Sequence, residues 1–464
     1  MASVFHRLSF QSAALAAGLL AGVAGAESAA AQQTPDPAAG RTAYEQSCAR
    51  CHGDQGHGDG VDAKRFYPRP RDLTKGIYKF RSTASGTPPT DQDLFATITY
   101  GLPGSNMPDW QHLDEQTRWN LVAYLKSLSP VFQDTPPIPV EVAPDPGASR
   151  ADAAKGKQLY VQLGCAACHG ALGRANGTSA AGLVDDWGMP IRPADLTQGW
   201  ALRGGHDPHA ILLRVVAGID GTGMPSYADA LSKEDAWHLA YYVASLQEAP
   251  HWNVIANVAH VRGTLPAAPE DPAWAAAERS DLRLRNAVTH DGDWAQPPTV
   301  RAVAVQALTN GEAVAFRVSW DDPVENREAA SDAFALLLKP AGGEGDVVTL
   351  QAWPYHGAPA LDALYWSAQT GRIGEGIANS FDWLRAANGA LIPLAGQAQY
   401  QNGRWTLVLQ RALHPEQPAA GGLMDAHGLT AVAVAVWDGS NPSARAISPW
   451  LDLRLQPTTH SHKD

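Results

Sequence analysis

Cysteine is nearly absent from this chain: there are four in 464 residues, all between positions 48 and 168. That scarcity excludes a disulfide framework, because no pair is left over to staple the long C-terminal part. Basic residues are also in deficit, 35 Lys and Arg against 47 Asp and Glu for a formal net charge of −12, which disfavours nucleic acid as a partner. After the first few dozen residues no apolar run is long enough to span a bilayer, so no transmembrane segment is expected in the mature chain. Hydrophobic residues, at 45%, can fill several cores, and the length suits about three domains.

What cysteine there is falls in two copies of one pattern, Cys48-Ala49-Arg50-Cys51-His52 and Cys165-Ala166-Ala167-Cys168-His169. Cys-x-x-Cys-His is the attachment pattern of c-type haem. Two thiols one helical turn apart can each add to a vinyl group of the same porphyrin, while the adjacent histidine offers its imidazole to the iron. A zinc cluster or a redox dithiol is the competing reading of Cys-x-x-Cys. The histidine in both copies, and the lack of further cysteines to complete a thiolate cluster, argue against it. Cys48, Cys51, Cys165 and Cys168 are therefore expected to bind two haem c groups, with His52 and His169 as iron ligands.

The N-terminus reads as a secretory signal: Arg7, an apolar stretch from Ala13 to Val23, and a small-residue cleavage site at Ala24-Gly25-Ala26, with Ala29-Ala30-Ala31 as a later alternative. A signal over residues 1–26, extending at most to 31, together with haem attachment, points to the bacterial periplasm.

The surroundings of the two motifs repeat. Cys48 and Cys165 lie 117 residues apart, and so do Met107 and Met224, each in a glycine-rich phrase ending Met-Pro. Helical patterns follow, Trp119 to Leu128 and Trp237 to Leu246. Met189-Pro190 competes with Met224 in the second copy but has no counterpart in the first. Arg69 and Arg192 match within the repeat and could pair with haem propionates. A proline-rich connector over 130–150 separates the copies. Beyond His251 the pattern changes to alternating strands, at Val300–Leu308, Ala313–Trp320, Ala333–Leu338, Val347–Trp353, Leu361–Trp366, Trp405–Gln410 and Thr430–Trp437, with Asn310-Gly311 and Asn402-Gly403 as turns. The fold class expected is two all-α domains followed by a mainly antiparallel β-sandwich.

Residues 38–129 and 151–248 resemble class I cytochrome c domains. That resemblance implies His52 with Met107, and His169 with Met224, as the axial pairs. A methionine and histidine pair raises the potential relative to two histidines and leaves no open iron position.

Within 271–455, Asp271-Pro272-Ala273-Trp274, Trp320-Asp321-Asp322, Asp332-Ala333-Phe334-Ala335 and Trp437-Asp438-Gly439-Ser440-Asn441 resemble the haem b-binding γ subunit of ethylbenzene dehydrogenase and related type II molybdenum enzymes of the dimethyl sulfoxide reductase family. The resemblance implies one haem b between a methionine and a lysine. Here the nearest residue to the methionine position is His356, and Arg445 stands at the lysine position; arginine stays protonated and is a poor iron ligand.

The resulting expectation is a periplasmic electron-transfer subunit, not itself an enzyme. It would relay electrons between the molybdenum and iron–sulfur subunits of a type II oxidoreductase, such as a nitrite/nitrate, chlorate or selenate enzyme, and a soluble or membrane-bound cytochrome. The alternatives are a self-contained haem enzyme such as a cytochrome peroxidase, and a carbohydrate-binding module using exposed tryptophans such as Trp353 and Trp366.

Overall fold

The computed structural model describes residues 34–286, 300–339, 361–378, 391–414, 429–440 and 445–455. The N-terminal half is helical: α1 (Pro37–Ser47), α2 (Ala49–His52), α3 (Asp91–Tyr100), α4 (Glu115–Ser127), α5 (Val131–Asp134), α6 (Ala153–Gln162), α7 (Cys165–His169), α8 (Pro208–Ala217) and α9 (Lys233–Ser245). Side-chain oxygens open the longer helices. Asp114 accepts from Thr117 N and Ser232 from Asp235 N, and Thr90 and Asp93 cap each other's backbone N–H at α3. These caps start α4 and α9 earlier than the aromatic spacing at Trp119 and Trp237 predicts.

The repeat seen in sequence is a repeat in packing. In the first copy α1 crosses α4, and in the second α6 crosses α9, each at a glycine. A Cβ on Gly40 would lie 2.0 Å from Asn120 O, and one on Gly156 would lie 2.2 Å from His238 O, so only glycine permits the approach. Fully buried Tyr44 then donates to Gly53 O at 2.7 Å, and Tyr160 to Gly170 O at 2.8 Å, tying the first helix of each copy to the loop after its Cys-x-x-Cys-His turn.

The connector over 130–150 is not a free spacer. It lies against both copies: Val140 N bonds to Ser82 O, while Trp237 Nε1 donates to Ala143 O and Tyr241 to Asp145. The copies also meet directly. Buried Arg81 reaches Ala217 O at 2.9 Å and Asp220 at 2.8 Å, and Arg214 donates back to Arg81 O.

The C-terminal half forms fourteen strands among the described residues: β1 (Ile255–His260), β2 (Ser280–Arg283), β3 (Arg285–Asn286), β4 (Ala302–Thr309), β5 (Ala313–Asp321), β6 (Ala333–Leu338), β7 (Leu361–Ser367), β8 (Ile373–Ala378), β9 (Ile392–Pro393), β10 (Ala395–Gln401), β11 (Arg404–Ala412), β12 (Leu429–Trp437), β13 (Arg445–Ile447) and β14 (Leu451–Leu455). One layer runs β10-β11-β5-β4 and the other β14-β12-β6-β7-β8-β9. All pairings are antiparallel except the two made by β1, which lies parallel to β14 and then to β4 and so links the layers.

The expected β-sandwich is what forms. Its core interleaves Val303, Phe316, Val318, Leu407 and Leu409 with Leu336, Leu364, Val432 and Val434. Trp320 stacks on Phe334 at 5.3 Å, and Trp366 meets Trp405 at 4.7 Å. Asn402 and Gly403, both at positive φ, make the tight turn between β10 and β11. At Asn310-Gly311 only the glycine has positive φ, and the Asn310 side chain caps the turn by accepting from Glu312 N and Ala313 N. The expected strand Val347–Trp353 lies outside the described residues.

Candidate functional site

The Cys-x-x-Cys-His turns grow directly out of the preceding helices. Cys48 N bonds to Tyr44 O, and His52 N to Cys48 O, so Cys48 and Cys51 stand one turn apart; α7 places Cys165 and Cys168 likewise. Burial pushes the Cys48 thiol up to about 12, with Cys51 adding to it, and raises Cys165 as well. A redox dithiol needs the opposite shift toward thiolate.

Both histidines are positioned by a single hydrogen bond. His52 Nδ1 lies 3.0 Å from Arg71 O, and His169 Nδ1 lies 2.8 Å from Ala194 O. A carbonyl can only accept, so each Nδ1 carries the proton and each Nε2 keeps a lone pair for a metal. Burial lowers the pKa of both imidazoles, against the pull of these hydrogen bonds, which favours the neutral form that ligation requires.

The methionine loops are equally matched. Leu102 N bonds to Met107 O and Ile219 N to Met224 O, both at 3.1 Å; Ser105 Oγ and Thr222 Oγ1 then accept from Met107 N and Met224 N. Met189 sits in a different turn, where Asp185 N donates to its carbonyl and Asp185 Oδ1 accepts from its N–H.

His52, Met107, His169, Met224, Met189 and all four cysteines line one continuous cavity, in which the clefts of the two helical copies open into each other. Eight cationic side chains (Arg69, Arg71, Lys79, Arg174, Arg192, Arg203, Arg214 and Arg301) face it, against four aspartates (Asp72, Asp185, Asp195 and Asp321). The cavity is therefore basic inside a chain that is acidic overall. Two haems carry four propionates, which this basic lining suits. The thiol pairs, the neutral imidazoles and this charge balance all fit two haem c groups.

Sequence reasoning placed Arg69 and Arg192 here but missed Arg71, Lys79, Arg203 and Arg301. No local pattern marks the latter four: Arg71 aligns with Ala194 in the repeat, and Arg301 comes from the sandwich. Arg192 lies 3.8 Å from Asp438 of the sandwich. Other bridges join the second copy to the sandwich: Arg404 to Glu248 at 3.1 Å, Arg174 to Asp321 at 3.5 Å, and Arg174 Nη1 to Asn402 O.

His356 lies outside the described residues, as does Trp353, and Arg445 is placed in β13 by its backbone pairing with Trp437. Trp366 is 1% exposed, so it is a core residue and no carbohydrate platform. Three of the four motifs that carry the resemblance to the γ subunit bring Asp322, Asp332 and Asp438 together at one end of the sandwich, whereas Trp274 of the fourth packs with Leu308 and Ala315. Carboxylate oxygens of buried Asp322, Asp332 and Asp438 lie within 4.8 Å of one another, and Asp332 accepts from Trp405 Nε1 and Gly439 N. Carboxylates this close cannot all stay ionised without a proton or cation among them. Burial first, then Asp438, raises Asp322 well above the usual range, and burial raises Asp332 to about 6.

Two Cys-x-x-Cys-His turns and two methionine loops lining one cavity are the arrangement expected of two c-type haem domains in one chain. Residues 35–125 match the family model described as cytochrome C oxidase, cbb3-type, subunit III, and residues 153–247 match that of cytochrome c. The chain thus contains two cytochrome c domains, which imply covalent haem c and support a role in electron transfer. Among solved structures, a chain of the reducing HAO-like protein complex of Kuenenia stuttgartiensis is 42% identical, over 45% of this chain and 96% of that one, with a TM-score of 0.44. A family 9 carbohydrate-binding module from Caldicellulosiruptor kristjanssonii is 11% identical over 45% of this chain and 100% of its own, with a TM-score of 0.28. That likeness is too slight to bear on carbohydrate binding here. No curated protein sequence matches the chain. No helix among the described residues is long and apolar enough to cross a membrane.

Proposed function

We propose that this chain is a dihaem electron-transfer subunit, exported to the periplasm, that relays electrons between a redox enzyme and a cytochrome or respiratory-chain partner. The observation that carries this reading is the single basic cavity lined by both Cys-x-x-Cys-His turns and both methionine loops. When bound, the two haems supply reversible one-electron exchange at iron. The protein does the rest. Cys48, Cys51, Cys165 and Cys168 would hold the porphyrins, His52 and His169 present Nε2 with the tautomer set by Arg71 O and Ala194 O, and Met107 and Met224 would offer a thioether to each iron. Ligation by both methionines would leave no iron open to substrate, which favours relay over a peroxidase.

The partner follows from the sandwich. Its motif residues resemble those of γ subunits of type II molybdenum enzymes, and this supports docking onto the molybdenum and iron–sulfur subunits of such an oxidoreductase. In that arrangement the sandwich, locked to the second haem domain by Arg404 and Arg174, would bring the haems to the enzyme's electron exit.

The test is a pyridine haemochrome spectrum of the exported full-length protein, quantified per chain before and after acid–acetone extraction, with M107L and M224L beside it. Two non-extractable haems are expected, and each variant should lose the methionine-to-iron charge-transfer band of one haem. Fewer than two, or unchanged bands, would overturn the reading. One additional extractable haem would extend the relay into the sandwich and make His356 the ligand to replace.

A further inference from the structure

Of the eight cations facing the cavity, four have neither a carboxylate within 4.0 Å nor a strong hydrogen bond among the described residues. Arg71 makes only a cation–π contact, its guanidinium 4.5 Å from the Trp187 ring centre. Lys79 has no side-chain hydrogen bond, and Arg203 has a buried Nε with no partner. Arg301 makes one long contact, 3.4 Å from Nη1 to Ala201 O.

These four come from three domains, yet they are neighbours. Arg301 Nη1 reaches past Ala201 of the second haem domain to the methionine loop of the first, where a Cβ on Gly104 would lie 3.1 Å from it. Burial, followed by Arg301, lowers the pKa of Arg203 to about 10. Burial, then Arg71 and Arg203, lowers Lys79 to about 7, and burial lowers Arg71 to about 10. Each group feels the next. Asp185 offsets Arg71 and Lys79 only in part, and buried cations with no ion-paired carboxylate within 4.0 Å are costly, so a cluster of four implies a further anion.

We propose that Arg71, Lys79, Arg203 and Arg301 form one anion-binding junction for the propionates of both haems, and that Arg301 makes the β-sandwich a structural part of the haem site. This rests on the reading of the chain as a dihaem protein. The cluster would hold propionates of both haems at the meeting point of three domains. The sandwich also has an electrostatic hold on the haems, since a positive charge beside a propionate favours the ferrous state. A partner that shifts the sandwich changes the potential of the centres it exchanges electrons with.

The experiment is a spectroelectrochemical titration of full-length holoprotein, comparing wild type with R301Q and R301K at equal haem content. R301Q should keep two haems and lower the potential of at least one by a tenfold change in the ferric-to-ferrous ratio, about 59 mV for a one-electron couple. R301K should restore most of the shift, which a merely structural role would not do. R301Q with both haems and unshifted potentials would overturn the proposal. If R301Q fails to load, K79Q in the first domain decides: a lowered potential supports the junction and an unchanged one overturns it. Fewer than two haems in the wild type would instead defeat the dihaem reading.

Discussion

The two haem domains share a frame and differ in their charges. Tyr44 and Tyr160, Gly40 and Gly156, Met107 and Met224, and the carbonyls of Arg71 and Ala194 do the same work at matching places. Where the backbone itself makes the contact, the side chain is free to change. Arg71 and Ala194 hold their histidines through the main chain alone, and only Arg71 adds a charge to the cavity. The surroundings differ too. The second domain is bolted to the sandwich by Arg174, Arg192 and the Arg404–Glu248 bridge, whereas the first approaches it at Gly104 and Arg301. Shared geometry sets what each domain binds, and unshared charge sets how its centre differs from the other.

The largest effect that would break this comparison is at the helix crossings. G40A and G156A should each destabilise their domain by about 1–3 kcal/mol, because the added Cβ meets backbone that cannot step aside. Chemical denaturation followed by haem absorbance would measure this, and tolerance in one domain alone would show that the crossings are not equivalent.

A smaller and again paired loss is expected from Y44F and Y160F. Each leaves a buried carbonyl, Gly53 O or Gly170 O, without its donor, for about 1–2 kcal/mol. Equal losses would sharpen the comparison, and loss in one domain only would confine the strut to that domain.

The smallest effect, about 1 kcal/mol by linkage, separates the helical half from the sandwich. Burial and then Glu375 raise Asp362 to about 7, although Arg411 lies 2.9 Å away, and Asp332 is raised to about 6. These folded values exceed the unfolded one, so the native state holds protons that the unfolded chain has released. The stabilisation is complete below about pH 4, the unfolded carboxyl pKa, and is lost as pH rises through 6 to 7. The β-sheet unfolding transition should therefore move to higher temperature between pH 8 and pH 6 when followed by circular dichroism. A transition that moves lower, or does not move, would contradict the assigned shifts.

Much of the site was legible because its parts are local. Cysteine spacing, the adjacent histidine and the loop around each methionine are words of a few residues, and duplication at an offset of 117 made them readable twice. The sandwich was legible for the same reason, since alternation and Asn-Gly turns are short-range signals. Helix starts were less so: aromatic spacing marked Trp119 and Trp237, but the caps at Asp114 and Ser232 decide where the helices begin. The connector over 130–150 read from its prolines as a segment separating the copies, and its packing against Ser82 and Trp237 depends on surfaces that no proline pattern reveals.

The sequence alone determined that the chain carries two Cys-x-x-Cys-His turns, which residues flank them and what kind of domain follows, because each rests on contacts between near neighbours in the chain. Only the tertiary structure decided that the two clefts are one cavity, that its lining is basic where the whole chain carries −12, and that residues 71, 79, 203 and 301 stand together. Coulomb interactions act through space, and no spacing along a chain records which charges folding will bring to the same wall.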